Sequence, residues 1–247
     1  MRYRHCIFDL YGTLVDIRTD EDAPGLWAAM ADYYRAQGCD YDAAGLRTAY
    51  RRLVRELEKE RAPFRREAHE AHPEIQIELV FQRLFQEKGA AAELPQAVQA
   101  GRHFRELSTE YIRLYNGVRE LLTVLRERGR SIWLLSNAQA IFTRWELDRL
   151  QLTDCFDGIY LSSDYGVKKP DRRFFDILLQ EQSIPPERAV MIGNDGVCDI
   201  QGGRTAGLAT IYIRSNLSPK EQFPQADYVL RQVDLRKLQG ILTDTIP

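Results

Sequence analysis

The chain has 247 residues, of which 44% are hydrophobic and 28% are charged, and its formal net charge is −2 at pH 7. This mixed and nearly neutral balance gives no electrostatic footprint for nucleic acid or for a membrane surface. No apolar run approaches the roughly 18 residues of a membrane-spanning helix, so no membrane span is expected. The length is sufficient for a main core and one smaller unit.

The cysteines and the N-terminal residues predict a cytoplasmic location. The first apolar run is too short for a signal peptide and is interrupted by Asp9. The four cysteines are scattered singly, as in proteins whose thiols stay reduced. They are Cys6, Cys39, Cys155 and Cys198.

The first predicted strand, at about Arg4–Leu10, has an acid near its end. Asp9 follows the apolar residues Cys6-Ile7-Phe8, and Gly12 then allows a sharp turn. Open α/β sheets keep their ligand crevices at the carboxyl ends of parallel strands. A carboxylate at that edge can act as a nucleophile toward phosphorus or carbon. The alternative is that Asp9 only caps a turn.

The segment between Ala23 and Tyr115 contains no convincing strand pattern. Its apolar residues recur at helical spacing, which predicts four helices packed as a bundle. The positions that define these helices are Leu26, Met30 and Tyr33; Leu46, Tyr50, Leu53, Val54 and Leu57; Ile77, Val80, Phe81, Leu84 and Phe85; and Phe104, Leu107, Tyr111 and Leu114.

After Gly117, apolar strand patterns alternate with helical ones. Such alternation predicts an α/β fold in which a parallel, Rossmann-like sheet is built with right-handed crossovers. The first strand belongs to the same sheet. The later strands are predicted at about Arg130–Ser136, Gly158–Leu161, Ala189–Asn194, Ala209–Ile213 and Tyr228–Leu230.

Three later segments add polar groups at the same predicted sheet edge. One strand ends in Ser136-Asn137, a loop before a helix carries Lys169, and another strand runs into Gly193-Asn194-Asp195 and Asp199. Each group has a simpler interpretation by itself. A serine or an aspartate can cap a helix, and a loop lysine is usually solvated. Their appearance in order on successive strand ends favours one shared site.

This order and spacing resemble the haloacid dehalogenase-like hydrolase superfamily, whose four motifs are an Asp nucleophile, a Ser or Thr, a Lys and an acidic loop. The resemblance covers about 150 residues, and four motifs in register are more specific than any one of them. It implies a core of residues 1–16 and 116–247. Residues 17–115 would form an inserted helical cap of the C1 type, which closes over the crevice and selects the substrate.

The resemblance also implies a role for each matching residue. Asp9 would attack a small phosphorylated substrate, Ser136 and Lys169 would hold the phosphoryl oxygens, and Tyr11 occupies the acid–base position. Mg²⁺ would be held by Asp9, the Tyr11 carbonyl and the acidic loop. The remaining candidates are Thr13, Asn137 and Arg18 for substrate binding, and Asn194, Asp195 and Asp199 for the metal.

Two departures from the phosphatase pattern lead to different functions. Phosphatases normally have a second Asp two residues after the nucleophile, but this chain has Tyr11, a phenol with a pKa near ~10. That form resembles the L-2-haloacid dehalogenases, which release halide without a proton and for which Arg18 could hold a substrate carboxylate. The acidic loop begins Gly193-Asn194-Asp195 instead of Gly-Asp-Ser, yet its retained acids favour a metal.

We therefore expect a Mg²⁺-dependent phosphomonoesterase. The alternatives are a metal-independent C–halogen hydrolase and a non-catalytic binding or regulatory protein of the same fold. The sequence predicts neither the substrate nor the oligomeric state.

Overall fold

A computed structural model describes residues 3–61, 74–220 and 223–244 of the chain. Its centre is a six-stranded sheet with the strand order β5-β4-β1-β6-β7-β8, and every neighbouring pair is parallel. This sheet confirms the predicted α/β, Rossmann-like core. The strands are β1 (His5–Phe8), β4 (Ser131–Ser136), β5 (Gly158–Leu161), β6 (Ala189–Gly193), β7 (Ala209–Ile213) and β8 (Tyr228–Leu230).

Alternate residues of the buried strands face two different cores. On β1, Cys6 and Phe8 join one cluster of buried apolar side chains, whereas Ile7 joins the other. A strand that is covered on both faces must be apolar at every position, which explains the continuous apolar runs in the sequence. The helices outside the insert are α5 (Val118–Glu127), α6 (Ala140–Arg149), α7 (Ser162–Tyr165), α8 (Arg172–Glu181), α9 (Gly202–Thr205) and α10 (Leu235–Leu242).

The four predicted helices of the insert are present and share a core of their own. Aromatic side chains dominate that core, and Trp27, Tyr50, Phe81 and Phe104 contact one another with ring centroids 5.2–5.7 Å apart. Such packing accounts for the helical spacing of the apolar residues. The helices are α1 (Leu26–Ala36), α2 (Ala43–Arg61), α3 (Ile77–Gln86) and α4 (Leu94–Ser108).

One part of the helical prediction was wrong. Tyr111 and Leu114 do not extend the fourth helix, because they belong to strand β3 (Thr109–Leu114), which pairs antiparallel with β2 (Val15–Thr19). The six residues of β3 are partly buried or exposed without a regular alternation, and the hydrogen bonds of its backbone go to β2. The two strands form a ribbon that carries the chain into and out of the helical insert.

Within the ranges given above, none of the helices combines the length and the apolar character that crossing a membrane requires.

Candidate active site

The carboxyl end of β1 places Asp9 among polar side chains from three other segments. Ser136, at the end of β4, donates a hydrogen bond to Asp9 Oδ1 over 3.1 Å, and Lys169 Nζ donates to the same oxygen over 2.9 Å. Thr13 Oγ1 lies 3.3 Å from the second oxygen, Oδ2. The structure therefore brings together the predicted nucleophile, hydroxyl and lysine at one edge of the sheet.

Lys169 is buried, and its ammonium group donates to three acceptors of the protein. Besides Asp9, it donates to the Leu135 carbonyl over 2.7 Å and to Asp199 Oδ1 over 2.6 Å. Burial alone would lower the pKa of Lys169, but attraction to Asp199 and Asp9 raises it above its usual value. The side chain is thus a permanent cation inside the site and not a solvated loop lysine.

Asp199 is the buried partner of this lysine. Its Oδ1 accepts from Lys169, and its Oδ2 accepts from the backbone N–H of Asp195 over 2.9 Å. Burial raises the pKa of Asp199 to about 7, although the neighbouring ammonium group opposes that rise. Both oxygens have protein partners, so Asp199 holds Lys169 in place.

Asn194 is the residue of the acidic loop that faces Asp9. One terminal atom of its amide lies 3.3 Å from Asp9 Oδ2 and 3.0 Å from the Tyr11 carbonyl oxygen. A Cβ atom on Gly12 would lie 2.2 Å from the Asn194 side chain, and the φ of Gly12 is +84°. Only glycine fits at position 12, because it permits both this backbone conformation and this close approach.

Asp195 has a different role from Asn194. Its Oδ1 accepts hydrogen bonds of 2.8 Å from the backbone N–H groups of Val197 and Cys198, and so caps the π-helical turn Gly196–Gln201. The capping alternative raised from the sequence therefore describes the contacts of Asp195. The group that the loop presents to Asp9 is consequently a neutral amide.

Tyr11 is held by helix α6. Its hydroxyl donates to Glu146 and lies 2.9 Å from Thr143 Oγ1, and Glu146 in turn pairs with Arg105 of α4 over 2.6 Å. Burial, followed by the charge of Glu146, raises the pKa of Tyr11 well above its usual value. The phenol stays protonated, and Glu146 accepts its proton in a hydrogen bond.

Sequence patterns missed Thr143, Glu146 and Arg105. Glu146 is 135 positions from Tyr11, so no local motif connects the two residues. The one available signal was the position of Glu146 four residues after Phe142 and next to Leu147, on the face of α6 that is buried; the exposed fraction of Glu146 is 2%. A buried carboxylate requires a partner, and here it has two.

Two of the three predicted substrate-binding residues lie at the site, but they contact protein groups. Asn137 accepts from the Lys169 backbone N–H and donates to the Lys169 carbonyl, both over 2.8 Å. Thr13 contacts Asp9, as described above. Arg18 is elsewhere, because its exposed side chain pairs with Glu110 over 3.1 Å across the ribbon. The prediction that Arg18 binds substrate therefore has no support from the contacts of this residue.

These groups open into a pocket of about 250 Å³. Three carboxylates line it, those of Asp9, Asp195 and Asp199, and Lys169 is the single cation among the described lining residues. With all three carboxylates ionised, the formal charge of the lining is −2. Leu217 and Pro219, from the loop after β7, form an apolar side of the pocket.

The oxygen atoms beside Asp9 suit a hard cation. The part of the chain that the structure describes contains no group of three His, Cys, Asp or Glu side chains that could hold a metal. A mixed set is nevertheless present: Asp9 Oδ2, the Tyr11 carbonyl and the Asn194 amide oxygen. With that oxygen turned inward, the separations of 3.0 and 3.3 Å match the spacing of about 3 Å between neighbouring ligands of an octahedral Mg²⁺. With the amide reversed, its nitrogen donates to both oxygens instead.

Comparison with known proteins agrees with this geometry. The sequence pattern of the haloacid dehalogenase-like hydrolase family matches residues 3–207 of this chain. A phosphoserine phosphatase of Thermus thermophilus is 30% identical over 167 residues, which are 65% of this chain and 63% of that protein. A glyceraldehyde 3-phosphate phosphatase of Pyrococcus furiosus is 32% identical over 130 residues, or 50% of this chain and 52% of the relative. The chain thus spans about half to two thirds of the length of these relatives.

Solved structures support the same fold. A 2-haloacid dehalogenase from Pseudomonas syringae has a TM-score of 0.67 at 21% identity, covering 99% of this chain and all of the other. The HAD-hydrolase YfnB from Bacillus subtilis, bound to magnesium, has a TM-score of 0.56 at 22% identity, covering 98% of this chain and 99% of its own. At these identities the likeness shows the architecture alone.

Proposed function

Because this chain belongs to the haloacid dehalogenase-like hydrolases, we propose that it is a Mg²⁺-dependent phosphatase acting on a small phosphomonoester. The phosphatases among its relatives support this choice, since they include phosphoserine, glyceraldehyde 3-phosphate and ribulose-1,5-bisphosphate phosphatases. The geometry adds a nucleophile with its hydroxyl and lysine neighbours. The partner is thus a small phosphorylated molecule.

The observation that carries the proposal is the charge of the pocket. Three carboxylates and one ammonium group give its lining a formal charge of −2, which would repel a phosphate dianion. A divalent cation cancels that charge. The oxygen set of Asp9, Tyr11 and Asn194 lies beside the nucleophile, where such a cation is required, so the charge and the donor atoms support the same metal site.

In the reaction, the Asp9 carboxylate attacks phosphorus in line with the leaving alcohol. An O–P bond forms to Asp9 as the P–O bond to the alcohol breaks, and water later hydrolyses the aspartyl phosphate. Ser136 and Lys169 both donate to Asp9 Oδ1, so each can exchange that hydrogen bond for one to a phosphoryl oxygen when the substrate binds beside it. Bound Mg²⁺ would offset the negative charge of those oxygens.

The site lacks an effective general acid to protonate the leaving alcohol. Tyr11 occupies the position of the usual acid, but its hydroxyl hydrogen is bound to Glu146 and its pKa is raised. General acid catalysis contributes roughly 100- to 10,000-fold where a suitable group is present. The enzyme should therefore favour substrates whose alcohol leaves easily without protonation.

We assign residues 17–115 to a substrate-selecting cap. The four helices of this segment have a core separate from those of the sheet, apart from Ile141 and Phe142 of α6, which join it. Helix α4 is connected to the loop after β1, because Arg105 pairs with Glu146 and Glu146 accepts a hydrogen bond from Tyr11. The insert therefore contacts the residues near Asp9 through α4 and α6.

Hydrolysis of a carbon–halogen bond is the second candidate, and Tyr11 is the residue that favours it. Halide needs no proton, so the absence of an acid at position 11 would cost nothing in that reaction. The pocket lining opposes it: no arginine is present among the described lining residues to hold the substrate carboxylate, and Arg18 pairs with Glu110. Phosphatase activity is accordingly the first choice.

A product assay separates the two candidates. The purified protein is incubated with phosphomonoesters and L-2-haloacids, each with Mg²⁺ and with EDTA, and phosphate and halide are measured separately. We expect phosphate release that EDTA abolishes and Mg²⁺ restores. Halide release that EDTA leaves unchanged would replace the proposed function by the second candidate, and release of neither product would favour a non-catalytic role.

A further inference from the structure

The loop that follows β7 contributes two apolar side chains to the pocket. Leu217 and Pro219 line the same 250 Å³ space as Asp9 and Lys169, although they follow a strand that carries none of the four motifs. Leu217 is 37% exposed. An apolar side chain that is partly exposed beside polar groups marks a surface able to contact a ligand.

The loop has a fixed conformation. Ser215 N–H donates to Ser218 Oγ over 3.0 Å, and the Pro219 carbonyl accepts from Arg214 Nη1 over 2.9 Å. These bonds close a tight turn with Leu217 inside it. A contact surface that is ordered before binding loses less entropy when a ligand arrives.

Asn216 anchors the loop to the ribbon. Its Nδ2 donates to Asp16 over 2.8 Å, and its Oδ1 accepts from Tyr115 over 2.5 Å. Asp16 is itself buried and bound by Arg113. The residue next to Leu217 is thus tied to the segment that joins the core to the helical insert, which fixes Leu217 over the pocket.

We propose that Leu217 is a specificity-determining residue, which contacts the non-reacting part of the substrate and favours a short apolar leaving group. The inference rests on the proposed function, in which Ser136 and Lys169 hold the phosphoryl end. A pocket of about 250 Å³ is smaller than the roughly 300–1,000 Å³ of drug-sized ligand sites, so it suits small alcohols. Leu217 then selects among the small ones.

Binding of alkylphosphonates tests this inference without turnover. The affinities of methyl-, ethyl- and butylphosphonate are measured by calorimetry in the presence of Mg²⁺. A fully buried methylene contributes roughly fourfold in affinity, and half-covered methylenes beside Leu217 should contribute about twofold each. We expect the affinity of the wild-type protein to rise about twofold with each methylene added to the alkyl group.

Leu217→Ser should abolish the dependence on alkyl length, and Asn216→Ala should weaken it by releasing the loop. Val229→Ser is the matched control, because Val229 is equally exposed, at 37%, but lies on β8 outside the pocket. Thermal melts check that each variant is folded. Equal dependence on length in Leu217→Ser and in the wild type would overturn the role of Leu217, as would affinities independent of length in the wild type. If not even methylphosphonate binds, the proposed phosphoryl site fails as well.

Discussion

Tyr11, two residues after Asp9, donates its hydroxyl hydrogen to Glu146 in the middle of helix α6. Glu146 also pairs with Arg105 of α4, so one buried carboxylate connects the loop that follows β1 with helix α6 of the core and with the helical insert. The hydroxyl therefore holds structure together at a position where a phosphatase needs an acid. Substitutions of Tyr11 can test whether its hydroxyl has a structural role and no role in acid–base catalysis.

Tyr11→Phe should leave turnover of substrates with good leaving groups within a fewfold of the wild type. The change removes one hydrogen bond from a buried carboxylate, and we expect the free energy of unfolding to fall by about 1–3 kcal/mol. Urea denaturation and steady-state kinetics measure the two effects. Tyr165→Phe, on an exposed tyrosine of α7, serves as the control. A loss of more than 100-fold in turnover would mean that the hydroxyl takes part in the chemistry.

Tyr11→Asp should raise the hydrolysis of substrates with poor leaving groups. A carboxyl group at position 11 could protonate the departing alcohol, a contribution of roughly 100-fold or more where the geometry is suitable. Rates for an alkyl and an aryl phosphate should then converge in the variant. A folded variant with the same ratio of these two rates as the wild type would exclude protonation as the limitation.

Asp9→Asn should lower turnover of every substrate by at least about 1,000-fold, because an amide cannot form the covalent intermediate. Single-turnover product release measures this loss. Asp157→Asn is a suitable control, since Asp157 accepts a hydrogen bond from Ile132 at the opposite end of the sheet. Retained turnover in Asp9→Asn would refute nucleophilic attack by this residue.

Asn194→Asp should increase the apparent affinity for Mg²⁺ by about tenfold, because a second carboxylate would then face the metal beside Asp9. The measurement is the Mg²⁺ concentration that gives half-maximal phosphate release. Gln201→Glu adds the same charge at an exposed position of the following turn and controls for a general electrostatic effect. If both variants shift the Mg²⁺ dependence equally, Asn194 does not hold the metal.

Asp16 should make stability depend on pH. Burial opposes its ionisation, but hydrogen bonds from Asn216 and Arg113 hold the pKa of Asp16 below its usual value of 3.8. A lowered pKa in the folded state gives stability that is present above the unfolded value and is lost as pH falls through the folded value. Asp16→Asn should therefore cost about 1–2 kcal/mol at pH 7 and progressively less below pH ~4.

Urea denaturation of Asp16→Asn at a series of pH values measures this dependence. Asp32→Asn is the comparison, because Asp32 forms an exposed ion pair with Arg35. If Asp16→Asn lowers the free energy of unfolding equally at pH 3 and pH 7, the pKa of Asp16 is not lowered in the folded state.

Local patterns were enough to predict the main sheet. Three strands, Gly158–Leu161, Ala209–Ile213 and Tyr228–Leu230, have the predicted bounds, and the others differ at their ends by one or two residues. The reason is physical: a strand covered on both faces must be apolar along its whole length, and short apolar runs are visible in a sequence. The ribbon was missed at β3 because its partner β2 is about 90 residues earlier and because β3 has no regular alternation of buried and exposed residues.

The hydrogen bonds of the site depend on side-chain orientations that local sequence patterns do not specify. Asn194 and Asp195 are neighbours, yet one faces Asp9 and the other caps the next turn, and only the backbone conformation separates these outcomes. Glu146 and Arg105 approach Tyr11 from distant segments. Spacing could predict which residue types meet at the edge of the sheet, but not the pairs that they form.

The ribbon of β2 and β3 brings both ends of the helical insert to one place. Thr19 and Thr109 are opposite partners at its far end, and the six described strands of the main sheet all lie outside residues 20–108. A short hairpin turn could join these two threonines without changing any strand of the sheet. The insert is therefore joined to the core at one place in the chain, and a change in its length need not displace the strands β1 and β4 that lead to Asp9 and Ser136.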